Sequence, residues 1–324
     1  MVGPTKTVEV ATGIVWVGIE DWERRIFDGL LPLPYGTSYN SYLVLGREKV
    51  ALIDTTRPGY EEELLGKVAS LVGPERLDYV VMNHAEPDHA GAIPRIMAIA
   101  PQAKLVATRK GTEMAGVFYH VPQDRCVAVK TGDTLDLGGK TLRFIEAPWL
   151  HWPETMFTFA VEDRVLFPCD FFGGHIASAE LFADEVGDIV LPEAKTYFAE
   201  IMMPYTKMAA AGLDKAKAVN PRVIAPSHGP IHRHPSDILG AYESWIRGPL
   251  KKRVVVAYVT MFDSTRKLVE AATDALAAEG IETVPYDLLV MEVAHISRDL
   301  VDASALVLGS PTLLGGLHPV AANA

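Results

Sequence analysis

Four potential metal ligands fall within six residues of this chain, in Asn83-His84-Ala85-Glu86-Pro87-Asp88-His89. They follow the apolar run Leu77–Met82, which reads as a strand. A loop at a strand end can turn alternate side chains to one side, so His84, Glu86, Asp88 and His89 can converge without a long-range coincidence of folding. Such density suits two metal ions, whereas a lone His with two acids would as readily cap the next helix. Three further polar residues each close an apolar run: His151 in Trp149-Leu150-His151-Trp152, Asp170 after Val165-Leu166-Phe167-Pro168-Cys169, and His228 after Val223-Ile224-Ala225-Pro226-Ser227. Each reads as a strand feeding a site. Near the C-terminus the chemistry changes. Thr260-Met261-Phe262-Asp263-Ser264-Thr265 joins a strand to a helix, and a hydroxyl-rich junction of that kind suits a phosphate held by loop amides and the positive helix end. Asp263 would repel such a ligand unless it points outward, and Asp263 or Ser264 could instead serve as an N-cap. A second loop, Ser310-Pro311-Thr312-Leu313-Leu314-Gly315-Gly316, follows the third strand of that half, where open α/β sheets put their ligands.

The elements that must position these residues fall into two groups. Ile14–Ile19, Ser41–Leu45, Val50–Ile53, Leu77–Met82, Leu105–Ala107 and Leu142–Ile145 read as strands of a sheet-rich first half. Gly46-Arg47-Glu48-Lys49 makes the second and third of these a hairpin that delivers Asp54 to a loop. Leu64, Leu65, Val68 and Leu71 have helical spacing and predict a helix covering one face. After Pro249 and the charged run Lys251-Lys252-Arg253, a different pattern begins. Val254–Val259 is continuously apolar, as in a strand buried on both faces. Leu268, Ala272 and Leu276 predict a helix stopped by Gly280, with strands at Ile281–Tyr286 and Ala305–Leu308. The expected division is 1–249 and 250–324.

With 324 residues, 49% hydrophobic and 22% charged, the chain is a folded protein of two cores. Its net charge of −11, with basic residues scattered, argues against nucleic acid as a partner. Cys126 and Cys169 are too few for a disulfide framework or a paired-cysteine metal motif, and both read as buried thiols. The segment Met1–Val10 lacks the apolar stretch of a signal peptide, and no apolar run is long enough to span a bilayer, so a cytoplasmic location without membrane attachment is expected.

Taken together, these motifs resemble the metallo-β-lactamase superfamily and, within it, the flavodiiron proteins or A-type flavoproteins. Asp21-Trp22, Gly36-Thr37-Ser38-Tyr39-Asn40 and Ile53-Asp54-Thr55 add to the likeness. The resemblance implies an α/β chain, with an N-terminal αββα sandwich followed by a partial, doubly wound, flavodoxin-like parallel sheet. It implies two iron ions, with His84, Glu86 and His151 on one, Asp88, His89 and His228 on the other, and Asp170 bridging. The three carboxylates would offset most of the charge of two ferrous ions. The dizinc hydrolases of the superfamily usually carry His at the place of Glu86, and a harder carboxylate favours iron. FMN would lie on Thr260, Met261, Phe262, Asp263, Ser264 and Thr265, with Pro311, Thr312, Leu313 and Gly315 along its ring. A flavodoxin-like domain has five strands and this sequence shows three, so an apolar edge at the third strand is expected.

The implied activity is the passage of electrons from FMN to the diiron centre, reducing dioxygen to water, nitric oxide to nitrous oxide, or both. A separate donor such as rubredoxin or a reductase, and a head-to-tail homodimer or tetramer, follow from the same resemblance. His175 and Tyr197 are expected beside the ligands as sources of protons or hydrogen bonds. His120, His232 and His234 read as surface or loop residues, and neither His295 nor His318 reads as a ligand. Two other readings stand: a dimetal hydrolase of a thioester or phosphodiester, and an FMN electron carrier without turnover.

Overall fold

A computed structural model describes residues 6–291 and 293–324. Residues 1–5, half of the Met1–Val10 segment that lacks a signal-peptide pattern, lie outside the described residues. Seven strands form the first sheet in chain order: β1 (Val8–Ala11), β2 (Ile14–Trp16), β3 (Tyr42–Leu45), β4 (Val50–Ile53), β5 (Tyr79–Val81), β6 (Lys104–Thr108) and β7 (Cys126–Val129). Pairing is antiparallel from β1 to β4 and parallel from β4 to β7. The expected hairpin is β3–β4, closed where Leu45 pairs with Val50. The second sheet runs β8 (Thr134–Asp136), β9 (Thr141–Glu146), β10 (Met156–Ala160), β11 (Val165–Phe167) and β12 (Val223–Ile224), antiparallel except for its last pair.

Alternation along β4 shows how the layers stack. Ala51 and Ile53 point between the sheets, where they meet Tyr42, Val44, Phe144, Met156 and Phe167. Leu52 points the other way, into a core shared with α1 (Glu61–Ala69) and α2 (Ile93–Ile99) through Leu64, Val68, Ile93 and Ile96. Each such fully buried aliphatic side chain is worth roughly 2 kcal/mol, so a polar residue at Ile53 would open the inter-sheet core. α3 (Arg109–Phe118) runs alongside β6 and β7. The far face of the second sheet, with Phe157, Phe159 and Leu166, is covered by α4 (Val190–Tyr197), α5 (Thr206–Ala218) and α6 (Pro235–Arg247). The result is the expected αββα sandwich.

The C-terminal sheet has the order β14–β13–β15, with β13 (Lys251–Tyr258), β14 (Glu282–Asp287) and β15 (Ala303–Gly309) all parallel. β13 is buried on both faces: Val255, Ala257 and Val259 meet Ile296 of α8 (Val293–Leu300), and Val254, Val256 and Tyr258 meet Val269 of α7 (Ser264–Ala278). β15 has no further strand beside it among the described residues, and Leu306, Val307 and Leu308 are 50%, 43% and 47% exposed. α8 packs against α4 and the π-helical turn Phe198–Met202, which joins this sheet to the sandwich.

Some local expectations are corrected. Leu268 is 72% exposed and Val269 is buried, because the face of α7 toward the sheet passes through Val269 and Leu276, seven residues or about two turns apart. Leu71 lies past the end of α1 and is half-exposed. Cys126 is half-buried, at the start of edge strand β7, while Cys169 is buried. His232 is buried, pairing through its backbone with Ile224 and through its ring Nε2 with the carbonyl of Phe172 at 3.2 Å. That burial pushes its imidazole down to about 4. Among the described residues, no helix is long and apolar enough to cross a membrane.

Candidate metal centre

The loop after β5 is pinned from beneath before it offers its ligands. Asp54 takes hydrogen bonds from the backbone and side-chain amides of Asn83 at 2.8 and 3.0 Å, and Thr158 donates to the Asn83 side chain at 2.6 Å. His84 and Glu86 then project from the loop, and Asp88 and His89 from the one-turn helix Pro87–Ala90. Glu86 makes no capping hydrogen bond to that helix. His151, Asp170 and His228 arrive from the loops after β9, β11 and β12.

All seven residues come together around Asp170. Its Oδ2 lies 3.6 Å from Nε2 of both His84 and His151, and Glu86 Oε2 lies 3.1 and 3.0 Å from the same two nitrogens. Its Oδ1 lies 2.9 Å from His89 Nε2 and 3.5 Å from His228 Nε2, while the Asp88 oxygens lie 3.4 and 3.2 Å from those nitrogens. Two donors about 2.1 Å from one ion, at a right angle to each other, stand about 3.0 Å apart, so these spacings fit the edges of two coordination shells. The first set of four and the triad Asp88, His89 and His228 each keep their donor atoms within 4.8 Å of one another. The Cys169 thiol falls within the same limit of His89 and Asp170.

The atoms that face this space are otherwise idle. Both oxygens of Asp88 and Asp170 and the Nε2 atoms of His89 and His228 are buried without a hydrogen-bond partner among the described residues. Leaving such atoms bare costs roughly 1–3 kcal/mol each, and more for charged groups, so cations are the partners this donor set fits. The electrostatics agree. Burial opposes a charge on His89, yet Asp88 and Asp170 outweigh it and lift the imidazole to about 9. Burial likewise opposes a charge on His84, but hydrogen bonds to Glu154 and Glu86 raise it well above its ordinary value. Glu86, Asp88 and His151 are 14%, 12% and 16% exposed. They mark the open side, where a cavity of about 230 Å³ between Arg24, Phe27, Asp28 and Arg57 reaches Glu86 and Asp88.

Around the donors stands a layer that sequence spacing showed only in part. His175 and Tyr197 are both buried against His228, at ring distances of 4.8 and 5.9 Å, and Phe27 covers His175 at 4.5 Å. Thr37 Oγ1 is 2.9 Å from His175 Nδ1, whose partner nitrogen Nε2 is buried and unpaired. Burial and His228 push His175 well below its ordinary value, and burial with Asp170 raises the Tyr197 hydroxyl well above its own. His228 Nδ1 donates to the Ser38 carbonyl at 2.6 Å. Glu154, which sequence reasoning missed, meets His84 Nδ1 at 2.7 Å. Its place three residues after His151 was visible, but its partner is 70 residues away.

In the C-terminal sheet, paired residues Tyr258 and Gly309 bring the two expected flavin loops side by side at the same strand ends. Thr260 is buried with its hydroxyl unpaired, which leaves a polar atom available to a phosphate. Met261, Phe262 and Ser264 are exposed and Thr265 is half-buried. Asp263 adopts φ +59°, makes no cap hydrogen bond and turns toward Arg266, 3.5 Å away, so the start of α7 is not occupied by its carboxylate. Thr312–Leu313 pairs with Gly316–Leu317 in a short hairpin. Leu314 and Gly315 both have positive φ at its tip, as a two-residue primed turn requires. Pro311 and Leu313 are half-buried, and Thr312 and Gly315 are exposed.

Comparison with known proteins agrees with this architecture. Residues 37–229 match the model of the ODP family beta lactamase. The chain is 40% identical to a nitric oxide reductase of Moorella thermoacetica over 98% of its own length and 80% of the relative's. Its fold superposes on rubredoxin oxygen:oxidoreductase from Desulfovibrio gigas with a TM-score of 0.93 at 31% identity, covering 98% of this chain and 80% of that one. It superposes equally well, at 0.93 and 32% identity, on the flavodiiron protein from Giardia intestinalis, covering 98% of this chain and 78% of that one. The chain belongs to the flavodiiron protein family, the A-type flavoproteins, whose members bind a diiron centre and FMN.

Proposed function

We propose that this chain is an oxidoreductase that passes electrons from FMN to a diiron centre and reduces dioxygen to water, nitric oxide to nitrous oxide, or both. The observation that carries this reading is the disposition of Asp170, with one oxygen toward His84 and His151 and the other toward His89 and His228. His84, Glu86 and His151 would hold one iron, Asp88, His89 and His228 the other, and Asp170 both. The names of the relatives, a nitric oxide reductase and a rubredoxin:oxygen oxidoreductase, support the two substrates. Bound there, two irons fed by a flavin supply electrons in quick succession to a small gas molecule.

The surrounding residues then have definite work. His175 Nδ1 is engaged by Thr37, which leaves the buried, unpaired Nε2 to exchange a hydrogen bond with a substrate beside His228. The Tyr197 hydroxyl, held in its protonated form by burial and by Asp170, offers a proton on the same side. Phe27 covers His175 and His228 and limits water there, which strengthens the electrostatic interactions inside. The FMN phosphate would rest on Thr260 to Thr265, and the ring against Pro311, Thr312, Leu313 and Gly315. A division at 249/250, a cytoplasmic location and a head-to-tail homodimer or tetramer belong to the same proposal. A rubredoxin or a reductase as the electron donor belongs to the same proposal, supported by the name of the rubredoxin oxygen:oxidoreductase relative.

Metal analysis and a visible spectrum of the anaerobically purified chain, followed by stopped-flow oxidation with dioxygen or nitric oxide, test the proposal. About two irons per chain and fast multi-electron oxidation are expected. Two zincs with ester cleavage would transfer the fold to a hydrolase, and slow flavin-only oxidation would reduce it to an electron carrier.

A further inference from the structure

The two halves of the proposed centre have matched donors: two imidazoles and one carboxylate each, with Asp170 shared. What differs is the support behind the imidazoles. His228 Nδ1 donates to a neutral backbone carbonyl, Ser38, and His89 Nδ1 is buried with no partner. His84 Nδ1 instead meets a carboxylate, Glu154 Oε1, at 2.7 Å. That carboxylate is 3% exposed, its Oε1 is anchored by the Ala85 amide at 2.9 Å, and its Oε2 has no hydrogen-bond partner. Among the described residues no Lys or Arg hydrogen-bonds to Glu154, so His84 is the group on which its charge acts.

We propose that Glu154 is a positioning residue that backs His84 with negative charge and makes the His84–Glu86–His151 half the tighter of the two metal sites. The inference rests on the two-metal reading above. A carboxylate on Nδ1–H fixes the tautomer that turns the Nε2 lone pair toward the ion, and it also pushes electron density onto that nitrogen. A carbonyl on His228 does the first of these and supplies no net charge for the second. Metal therefore loads the His84 half first, and the electron-rich half favours the more highly charged ion.

The test is a cobalt(II) titration of the metal-free full chain, followed by visible absorption and calorimetry. The parent chain is expected to bind two equivalents in two steps, the first tighter. Glu154→Gln keeps an acceptor for His84 and Ala85 but removes the charge, and is expected to weaken the first step about 10-fold while leaving the second in place. Glu154→Ala removes both, and a loss nearer 100-fold in that same step is expected. Circular dichroism checks that each variant is folded, and if the alanine variant is not, the glutamine variant decides alone. Two equal steps in the parent, a glutamine variant that titrates as the parent does, or a loss shared equally by both steps would overturn the proposal. A parent that takes up fewer than two equivalents would instead overturn the two-metal reading, and this inference with it.

Discussion

The two halves of the molecule use the same device and finish it differently. In both, polar residues sit on loops at the ends of strands, where the sheet aims them to one side. In the sandwich, further layers close over those loops: none of the seven donor residues is more than 16% exposed, and each touches at least one other donor. In the C-terminal sheet the loops stay open, with Phe262 85% and Leu314 101% exposed, and the neighbouring strand β15 bares three apolar residues. A strand end therefore aims a side chain, but packing from other layers is what fixes it. The metal donors are held by packing from several layers, whereas the expected flavin loops are held by fewer contacts from this chain.

The largest expected effect comes from breaking the organised half at its centre. Asp170→Ala removes the residue that faces both donor sets, and metal content should fall well below two per chain. Turnover of dioxygen or nitric oxide should drop by at least about 100-fold, since losing a partner outside the donor set already costs 10- to 100-fold. Flavin binding should persist, and an alanine variant that retained two metals would break the comparison at its stronger side. In the open half, Gly309 is the sensitive point: a Cβ there would meet Thr265 Cγ2 and Tyr258 Cβ at 3.1 Å each. Gly309→Val should push the start of α7 from the strand at a cost of roughly 1–3 kcal/mol and weaken FMN binding about 10-fold or more, with metal content intact. Fluorescence titration of FMN against metal analysis reads both. Unchanged flavin affinity would show that the two loops are not the flavin site, and lost metal would show that the halves are not independent.

How much of this was legible in the sequence follows the same contrast. The seven donors stood out because four of them share six residues after an apolar strand, and each of the other three closes an apolar run. Glu154 did not, because its role depends on β10 bringing residue 154 against a loop 70 residues earlier. His232 misled for a similar reason: between Ile231 and Arg233, shortly after Gly229-Pro230, it looks like a loop residue, yet pairing with Ile224 draws it under the carbonyl of Phe172. The fully apolar strand Val254–Val259 announced burial on both faces, but periodicity does not say what covers each face. The exposure of Leu268 beside buried Val269 shows the limit on a helix, where a shift of one residue turns the face by about 100°.

The smallest expected effect concerns the tie between the halves. Asp302, just before β15, places Oδ2 at 3.1 Å from Lys195 Nζ on α4 and 2.7 Å from Lys251 Nζ at the start of β13. Lys195 lies two residues before Tyr197, so this pair links the flavin sheet to the helix that supports the metal side. Burial opposes ionisation of Asp302, but the hydrogen bonds from Lys251 and Lys195 prevail and hold its carboxyl below the ordinary range. A depressed folded-state value means the stabilisation is complete above the unfolded carboxyl value and is lost as pH falls through the folded one. Asp302→Ala should therefore cost about 1 kcal/mol at neutral pH, and the gap between parent and variant should close below about pH 4. Hydrogen exchange supplies the sharper reading, because faster exchange in both α4 and α8 would show that the ion pair couples the two halves. Faster exchange in α8 alone would confine the tie to Lys251 within the C-terminal sheet, and the junction would then rest on the packing of Val301 into the helical core beneath the second sheet.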